Sequence, residues 1–220
     1  MGSEGYGIDP ETVEDVCSQI REIHKLGVQI GLVVGGGNIF RGMKAEQQGM
    51  DRVNADYMGM VATLLNALML QDRLEKLGVP VTVQSALNIE KVAEPYLRRE
   101  AVRHLCEGGV VIFGAGTGSP YFTTDTTAAL RAVEVGADVL MKATKVDGVY
   151  DGDPENQPNA RFFSRLTYMD IISQNLRVMD LTAVTLCMEN NLPIIVFNLR
   201  GKDNMKKIVQ GKDVGTIVRR

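Results

Sequence analysis

Two glycine-rich segments hold the residues whose types and spacing best suit the binding of an anion. Residues 35–37 are three glycines followed by Arg41, and a second glycine-rich segment covers residues 114–118. Each follows an apolar run, so successive backbone N–H groups are unshielded by side chains and can form an anion-binding concavity. Arg41 adds a guanidinium that can bind phosphate through two parallel hydrogen bonds.

The second segment also leads into a predicted helix through Thr-Thr-Asp at residues 123–125. The free N–H groups and positive dipole end of a helix N-terminus attract anions, and threonine hydroxyls add donors. Either segment alone has an ordinary explanation, because glycine after a strand often forms a tight turn and Ser or Thr before a helix is usually a cap. Two such segments at strand ends favour a ligand with several phosphates.

Several well-defined motifs are missing from the sequence. A Walker-type loop needs Ser or Thr after Gly-Lys, and neither Lys202 nor Lys212 is followed by one. The dinucleotide fingerprint GxGxxG fails because Phe40 and Ser119 stand where its third glycine is required. The sequence also has no HExxH and no GxSxG, and its two histidines fall in helical patterns. Metal-dependent hydrolysis and acyl transfer are therefore poorly supported.

Phosphoryl transfer is the chemistry that these residues suit best. It depends on positioning and positive charge more than on covalent catalysis by the protein. Lys142, expected at the end of a strand and followed by Thr144, Lys145 and Asp147, supplies such charge.

The elements that must position these residues alternate between helix and strand. Asp9-Pro10 opens a first helix that Gly27 ends. Continuous apolar runs predict strands, and apolar residues at helical spacing predict helices. The expected strands cover residues 28–34, 79–83, 109–113, 137–141, 194–198 and 215–218, and the further helices cover residues 51–77, 94–107, 124–136, 180–190 and 203–209.

This pattern predicts an α/β fold with a mostly parallel sheet covered by helices on both faces, because the strands are apolar throughout rather than alternating. Both glycine segments would then lie at the carboxyl ends of strands, where ligands bind in such sheets. No shift in composition marks a linker, so we expect one domain over residues 1–220. The apolar face of the long helix is expected to contain Val61, Leu64, Leu65, Leu68 and Met69.

Composition narrows the class of protein further. The 220 residues are 45% hydrophobic and 23% charged, with a net charge of -3. That balance is ordinary for a folded domain and argues against nucleic-acid binding. No apolar run reaches the roughly 18 residues of a membrane span and no signal-peptide pattern opens the chain, so we expect a cytoplasmic protein without membrane association. Cys17, Cys106 and Cys187 show no CxxC pairing and are expected to be reduced, buried thiols.

Five segments, in order along the chain, resemble the bacterial UMP kinase family, which has the amino-acid kinase fold. The resemblance covers essentially the whole chain. It implies a three-layer α/β/α sandwich, a cytoplasmic homohexamer, and phosphorylation of UMP to UDP by ATP in pyrimidine nucleotide biosynthesis, through in-line transfer. The segments are GGGNIFRG at 35–42, MDRVNADYMGM at 50–60, TGSPYFTTD at 117–125, KATKVDGVYDGDP at 142–154 and VMDLTA at 178–183.

The resemblance implies roles for residues on the UMP side. Gly36, Gly37 and Arg41 would hold the acceptor and transferred phosphates, and Asp56 would hydrogen-bond the ribose of UMP. A loop would wrap uracil and the UMP phosphate, and its residues are Thr117, Gly118, Ser119, Pro120, Tyr121, Phe122, Thr123 and Thr124.

On the ATP side, the resemblance assigns Thr144, Tyr150 and Asp153 to ATP binding, together with Gly37 and Arg41. Tyr150 would lie near the adenine ring.

The same resemblance assigns roles near the charged, reacting phosphates to three further residues. Lys142 would neutralise charge on the moving phosphoryl group, while Asp125 and Asp180 would organise the cationic groups and the surroundings of Mg²⁺. The resemblance fixes no protein ligands for that ion, which would arrive with ATP and keep several waters. GTP as activator and UTP as inhibitor are also implied, with an allosteric segment made of Gly2, Ser3, Glu4, Gly5, Tyr6 and Gly7.

Two features depart from the family's pattern. Ser119 stands where the family usually has Asn, and its shorter reach toward uracil leaves base selectivity open. The family also opens with a strand that ends in Lys-x-Ser-Gly-Glu and contacts the ATP phosphates, whereas this chain starts with MGSEGYG. We therefore expect one N-terminal strand to be missing from this sequence, which leaves the activity of the 220-residue chain alone open. The DNA upstream of Met1 tests this, and the absence of such an in-frame segment would contradict it.

Three alternative functions remain at this stage. A kinase of the same fold could act on another small acceptor, such as carbamate or an acylated amino acid, although Asp56 and residues 117–124 favour a nucleotide. A non-catalytic regulator that binds UMP or UTP belongs to a different class. A dinucleotide-dependent oxidoreductase is disfavoured by the failed fingerprint.

Overall fold

The structure is a computed structural model that describes Gly7, residues 9–42 and residues 49–220. The described residues divide after Thr127 into two compact units. The expectation of a single domain stays a prediction.

The first unit is built on a parallel sheet. Its strands, in chain order, are β1 (Ile30–Val33), β2 (Val81–Ser85), β3 (Glu94–Pro95) and β4 (Val110–Gly114), and their order across the sheet is β1-β4-β2-β3. Every neighbouring pair is parallel, with Val110 of β4 opposite both Ile30 and Val81. The helices are α1 (Pro10–His24), α2 (Arg52–Lys76) and α3 (Arg98–Cys106), and α4 (Thr124–Val135) begins in this unit.

Burial explains why these residues form this sheet. Val110, Val111 and Ile112 of the central strand β4 have no exposed surface, as expected for a strand covered on both faces. Helix α2 lies against β2, β4 and α1, and α3 lies against β4. Asp51 begins α2 by accepting a hydrogen bond from the backbone nitrogen of Asn54 at 3.1 Å, which satisfies one of the free N–H groups of the first turn.

The second unit contains a mixed sheet and a small hairpin. The sheet order is β5 (Leu140–Thr144), β9 (Ile194–Asn198), β10 (Thr216–Val218) and β8 (Arg165–Leu166), while β6 (Val149–Tyr150) and β7 (Phe162–Phe163) form the hairpin. Strands β9 and β10 are antiparallel, and the other neighbours in the sheet are parallel. The helices are α5 (Tyr168–Ser173), α6 (Leu181–Glu189) and α7 (Asn204–Val209).

The α/β class and the mostly parallel pairing are confirmed, but the bounds of several elements differ from the prediction, and two of these differences have a clear physical reason. Glu94 and Pro95 pair with β2 instead of starting a helix, and proline cannot donate the backbone hydrogen bond of a helix interior. The strand expected at 137–141 lies at Leu140–Thr144, because its pairing with β9 continues past Lys142.

Two burial predictions are also wrong. In α2, Leu64 is buried, but Val61, Leu65 and Met69 are between 39% and 49% exposed. The helix is apolar on more than its core side, so periodicity alone could not choose the buried face. Cys17 and Cys187 are buried as expected, but Cys106 is exposed.

Helix α2 is long and apolar enough, by length and composition, to cross a membrane. It has 25 residues, and its most apolar 18-residue window has a mean hydropathy of 1.2 with 39% of its residues buried. Core helices of folded domains meet the same criterion. Its contacts with β2 and β4 account for part of its apolar surface.

Candidate functional site

The first glycine turn lies directly against the backbone of α2. A Cβ on Gly36 would lie 2.7 Å from the carbonyl oxygen of Gly59 and 2.9 Å from the backbone nitrogen of Thr63, so only glycine permits this approach. The N–H groups of Ile39 and Phe40 both donate to the carbonyl oxygen of Gly36 at 2.9 Å. These bonds close the turn that follows β1.

Two asparagines hold that turn in place. The side-chain amide of Asn66, on α2, donates to the carbonyl oxygen of Gly35 at 2.7 Å and to Asn38 Oδ1 at 2.7 Å. Asn38 donates from Nδ2 to Asn66 Oδ1 at 3.1 Å and to the carbonyl oxygen of Gly7 at 2.9 Å. Arg41 remains exposed at the end of the turn, and its Nε donates to the carbonyl oxygen of Gly37 at 2.8 Å.

Asp56 connects the first turn of α2 to the loop before α4. Its Oδ2 accepts hydrogen bonds from Arg52 Nε at 3.0 Å and from the backbone nitrogen of Tyr121 at 2.8 Å. The Arg52 guanidinium also lies over the Tyr121 ring, 5.5 Å from its centroid. The Asp56 side chain is 19% exposed, so it is mostly covered but still partly accessible.

The loop before α4 is anchored to α2 and shaped by left-handed backbone conformations. The backbone nitrogen of Ala115 donates to Thr63 Oγ1 at 2.8 Å, and that hydroxyl donates to the carbonyl oxygen of Met60 at 2.8 Å. Gly118 has a φ of +82°, and a Cβ there would lie 2.9 Å from the carbonyl oxygen of Ala86. Tyr121 also has a positive φ, 72°, which is uncommon for a residue with a side chain.

Threonine hydroxyls complete this loop and begin α4. Thr117 Oγ1 donates to the carbonyl oxygen of Ser119 at 3.0 Å and accepts from its backbone nitrogen at 3.1 Å. Thr123 Oγ1 accepts from the backbone nitrogen of Thr126 at 3.2 Å, the geometry of a helix cap. Thr124 Oγ1 lies 3.3 Å from where a Cβ on Gly35 would stand, so the two glycine-rich segments adjoin.

The first unit therefore brings the residues predicted for the UMP side together around the start of α2. The turn after β1, Asp56 and the loop of residues 117–124 share contacts, while Tyr121 and Phe122 are more than half exposed. A cradle of backbone N–H groups, a helix N-terminus, a carboxylate and two exposed aromatic rings can bind a phosphorylated ligand that also carries a hydroxylated and an aromatic part.

In the second unit, Lys142 lies within β5 rather than after it, opposite Val196 of β9. Thr144 ends the strand. Its Oγ1 donates to the carbonyl oxygen of Val146 at 2.7 Å and accepts from the backbone nitrogen of Val146 at 3.3 Å. Since side chains alternate along a strand, Lys142 and Thr144 share one face of β5.

Tyr150 is held on the β6–β7 hairpin by its neighbour across the strands. Its ring meets that of Phe162 edge to face, with centroids 5.4 Å apart and planes at 63°. In the following loop, Asp153 Oδ1 accepts from the backbone nitrogen of Glu155 at 3.0 Å, and Oδ2 accepts from Asn156 Nδ2 at 2.6 Å. Both carboxylate oxygens of Asp153 are thus engaged in its own turn.

The two aspartates predicted near the metal ion lie at helix starts. Asp180 Oδ1 accepts from the backbone nitrogen of Ala183 at 3.0 Å and caps α6. Asp125 lies in the first turn of α4. Among the described residues, no group of three or more His, Cys, Asp or Glu side chains could hold a metal ion.

Sequence reasoning missed several residues that support the site. Arg52 was detectable, because its spacing of four from Asp56 places both on one helix face. Asn198 could not be detected from the sequence, because its contact depends on the register of the sheet. It lies opposite Thr144, and its Nδ2 donates to Asp147 Oδ1 at 2.9 Å. Asn66 lies 31 residues from the Gly35 carbonyl that it binds.

The predicted allosteric segment is covered only at its end. Gly2, Ser3, Glu4, Gly5 and Tyr6 lie outside the described residues. The backbone nitrogen of Gly7 donates to the carbonyl oxygen of Asn38 at 2.7 Å, which joins this residue to the first glycine turn.

These features define an α/β protein in which glycine turns lie at strand ends and beside a helix N-terminus, and whose sequence has no Walker-type loop. The family model described as the amino acid kinase family matches residues 1–198. The chain belongs to that family.

Solved structures give the same fold. A UMP kinase from Bacillus anthracis matches with a TM-score of 0.96 and 40% identity, over 99% of this chain and 90% of that one. A UMP kinase from Ureaplasma parvum matches with a TM-score of 0.91 and 40% identity, over 97% and 91%. A uridylate kinase from Archaeoglobus fulgidus matches with a TM-score of 0.75 and 31% identity, over 96% and 93%.

Proposed function

We propose that this protein transfers the γ-phosphoryl group of ATP to UMP, forming UDP and ADP, in pyrimidine nucleotide biosynthesis. The observation that carries the proposal is the set of contacts around Asp56, which joins α2 to the loop that leads into α4 beside the first glycine turn. The likeness to UMP kinases over nearly the whole chain supports UMP as the acceptor.

The first unit supplies groups for the acceptor. Backbone N–H groups of the glycine turn, Arg41 and the start of α4 attract the phosphate of UMP. Asp56 accepts a hydrogen bond from a ribose hydroxyl through the accessible part of its carboxylate. The loop of residues 117–124 surrounds uracil, with Ser119 replacing the longer amide that is usual in the family.

The second unit supplies groups for the donor. Tyr150 lies near adenine on the β6–β7 hairpin, and Thr144 shapes the adjoining loop. Lys142 neutralises negative charge on the transferred group. Asp153 contributes by fixing the turn that follows Tyr150, since its own carboxylate is already bound within that turn.

The reaction needs no protein nucleophile. An oxygen of the UMP phosphate attacks the γ-phosphorus in line, the bond from phosphorus to the ADP oxygen breaks, and ADP leaves with that electron pair. The protein contributes orientation and positive charge, which are the main means of catalysis for this transfer. Mg²⁺ would be supplied with ATP and would neutralise phosphate charge, and the role proposed for Asp125 and Asp180 is to order the cationic groups.

We also propose a cytoplasmic homohexamer that GTP activates and UTP inhibits. Support for self-association comes from an exposed apolar face of α2, which we call the α2 stripe: Tyr57, Met58, Val61, Leu65 and Met69, each 39–49% exposed. A contiguous apolar face on a folded domain marks an interaction surface. A second copy of the same helix would cover it.

A coupled assay of ADP release tests the activity and its acceptor. UMP, CMP, carbamate and an acylated amino acid are offered in turn with ATP and Mg²⁺. We expect UMP to be the preferred acceptor. Turnover with another acceptor alone would make the protein a different kinase of the family, and calorimetric binding of UMP or UTP without any turnover would make it a nucleotide-binding regulator.

A further inference from the structure

The hydroxyl of Thr216 links two strands of the hairpin that carries Tyr150. Thr216 begins β10 and has no exposed surface. Its Oγ1 accepts a hydrogen bond from the backbone nitrogen of Val149 at 2.8 Å and donates one to the carbonyl oxygen of Phe163. Val149 and Phe163 are opposite each other in the β6–β7 pair. One buried hydroxyl therefore ties both strands of the hairpin to the sheet.

Glycines on both sides let that hydroxyl reach the hairpin. A Cβ on Gly148 would lie 2.5 Å from Thr216 Oγ1 and 2.8 Å from Phe162 Cε2. Gly215 has a φ of +76°, and a Cβ there would collide with the carbonyl oxygen of Val196. The close approach of β10 to the hairpin thus requires glycine at two separate positions, Gly148 and Gly215.

The strands of the hairpin are short, so its contacts with β10 matter for its position. Strands β6 and β7 have two residues each, and a two-stranded hairpin alone is marginally stable in water. Tyr150 directly follows Val149, and its partner Phe162 directly precedes Phe163. The two groups bound by Thr216 therefore belong to the immediate neighbours of this aromatic pair.

We propose that Thr216 is a positioning residue for the donor nucleotide, acting through Val149 and Phe163 on the placement of Tyr150. The inference rests on the proposed function, because it takes Tyr150 as the residue beside adenine. Thr216 itself does not touch the nucleotide. Its effect is expected on the affinity for ATP and ADP and not on that for UMP.

The test compares Thr216→Val, which removes the hydroxyl at nearly constant shape, with Thr216→Ser, which retains it. Thr216→Val leaves the Val149 N–H and the Phe163 carbonyl buried without their partner, so we expect a loss of roughly tenfold in calorimetric affinity for Mg·ADP and a similar rise in KM for ATP. KM for UMP should change by less than about twofold, because the acceptor residues lie elsewhere. Thr216→Ser should restore both donor constants.

Two further measurements separate positioning from loss of folding. Hydrogen exchange should show a less protected Val149 amide in Thr216→Val but not in Thr216→Ser. Thr185→Val, the same change at a half-buried site on α6, serves as a matched control and should bind Mg·ADP like the wild type.

Three outcomes would overturn the inference: equal losses for ATP and UMP, failure of Thr216→Ser to restore ADP affinity, or unchanged ADP affinity in Thr216→Val. Absence of Mg·ADP binding by the wild type would overturn it too. A wild type that binds Mg·ADP but does not phosphorylate UMP would refute the proposed function alone, and the inference would then be judged on the ADP affinities.

Discussion

At the level of single residues, Asp56 joins helix α2 to the loop before α4. It is the point at which a helix side chain, Arg52, and a loop backbone group, the nitrogen of Tyr121, meet on one carboxylate oxygen. Hydrogen bonds to a charged group contribute about 1.5–3 kcal/mol each. Removing the carboxylate should therefore disturb both the loop and the ribose contact proposed for UMP.

Asp56→Ala is expected to raise KM for UMP at least about tenfold and to leave KM for ATP within about twofold, because the lost bonds all concern the acceptor side. For Asp56→Asn, the KM for UMP should lie between the values for the wild type and for Asp56→Ala, since asparagine keeps one acceptor oxygen. Steady-state kinetics with each substrate varied in turn measure this. Asp72→Ala, which removes an exposed ion pair with Lys76 on the same helix, is the control. Equal effects of the Asp56 and Asp72 changes would contradict the assignment.

The three thiols should differ sharply in reactivity. Burial raises the pKa of Cys17 to about 11 and that of Cys187 to about 12, whereas Cys106 is exposed. Only the thiolate reacts readily, so a thiol reagent at pH 8 should label Cys106 first and the other two only after denaturant is added. Mass spectrometry of labelled peptides checks the order. Rapid labelling of Cys17 or Cys187 in the native protein would show that their surroundings are not as described.

At the scale of elements, α1 and α2 are joined by an ion pair between Glu14 and Arg73. The hydrogen bond from Arg73 is the main reason that the pKa of Glu14 lies below its usual value of 4.5. A carboxyl whose pKa is lowered by folding stabilises the fold above its unfolded pKa, and that contribution disappears as the pH falls through the lower, folded pKa.

Glu14→Gln should accordingly lower the urea midpoint at pH 7, and the difference from wild type should shrink once the pH falls below the ordinary Glu pKa. The effect is expected to be modest, since the pair lies at the surface. Glu22→Gln is the control, because it breaks a pair with Lys25 at the C-terminal end of α1, which does not join two helices. A Glu14→Gln effect that is the same at pH 7 and in acid would refute the electrostatic explanation.

Short stretches of sequence predicted the helices and strands well, but they predicted the contacts between them poorly. The strand at 194–198 was predicted at its observed bounds, because it is a continuous apolar run. The long helix was predicted over residues 51–77 from its apolar spacing, and it begins at Arg52, directly after the Asp51 cap. The extension of β5 through Lys142 to Thr144 could not be predicted, because only pairing with β9 keeps those polar residues extended.

The candidate site shows the same division. The glycine turns and the threonines before α4 were predicted because their residue types carry the signal, whereas Asp56 was assigned only through the resemblance to the UMP kinase family. The bond from the Tyr121 nitrogen to Asp56 spans 65 residues, and the one from Val149 to Thr216 spans 67. Such pairs are set by the fold and have no local pattern.

For the whole molecule, the proposed self-association depends on the exposed apolar face of α2. The two central residues of the α2 stripe, Val61 and Leu65, are apolar, although each is more than 40% exposed. Covering such a surface removes apolar area from water, and the favourable free energy is roughly 25 cal/mol per Å² of buried area. Self-association through α2 is therefore the simplest reason for that surface.

Leu65→Glu should reduce the molar mass in solution measured by light scattering after gel filtration, because a charge in the centre of an apolar interface is costly to bury. Leu26→Glu alters an equally exposed leucine outside the stripe and should leave the mass unchanged. Loss of association in both variants, or in neither, would contradict the role given to the stripe.

Transfer of labelled phosphate shows whether the protein phosphorylates UMP. The protein is incubated with UMP, Mg²⁺ and ATP labelled at the γ-phosphate, and the products are separated. We predict that the label appears in UDP, in step with ADP, and that Asp56→Ala slows its appearance at low UMP concentration. Label that remains in ATP, or appears only as free phosphate or in a different acceptor, would contradict the assignment of UMP phosphorylation to this protein.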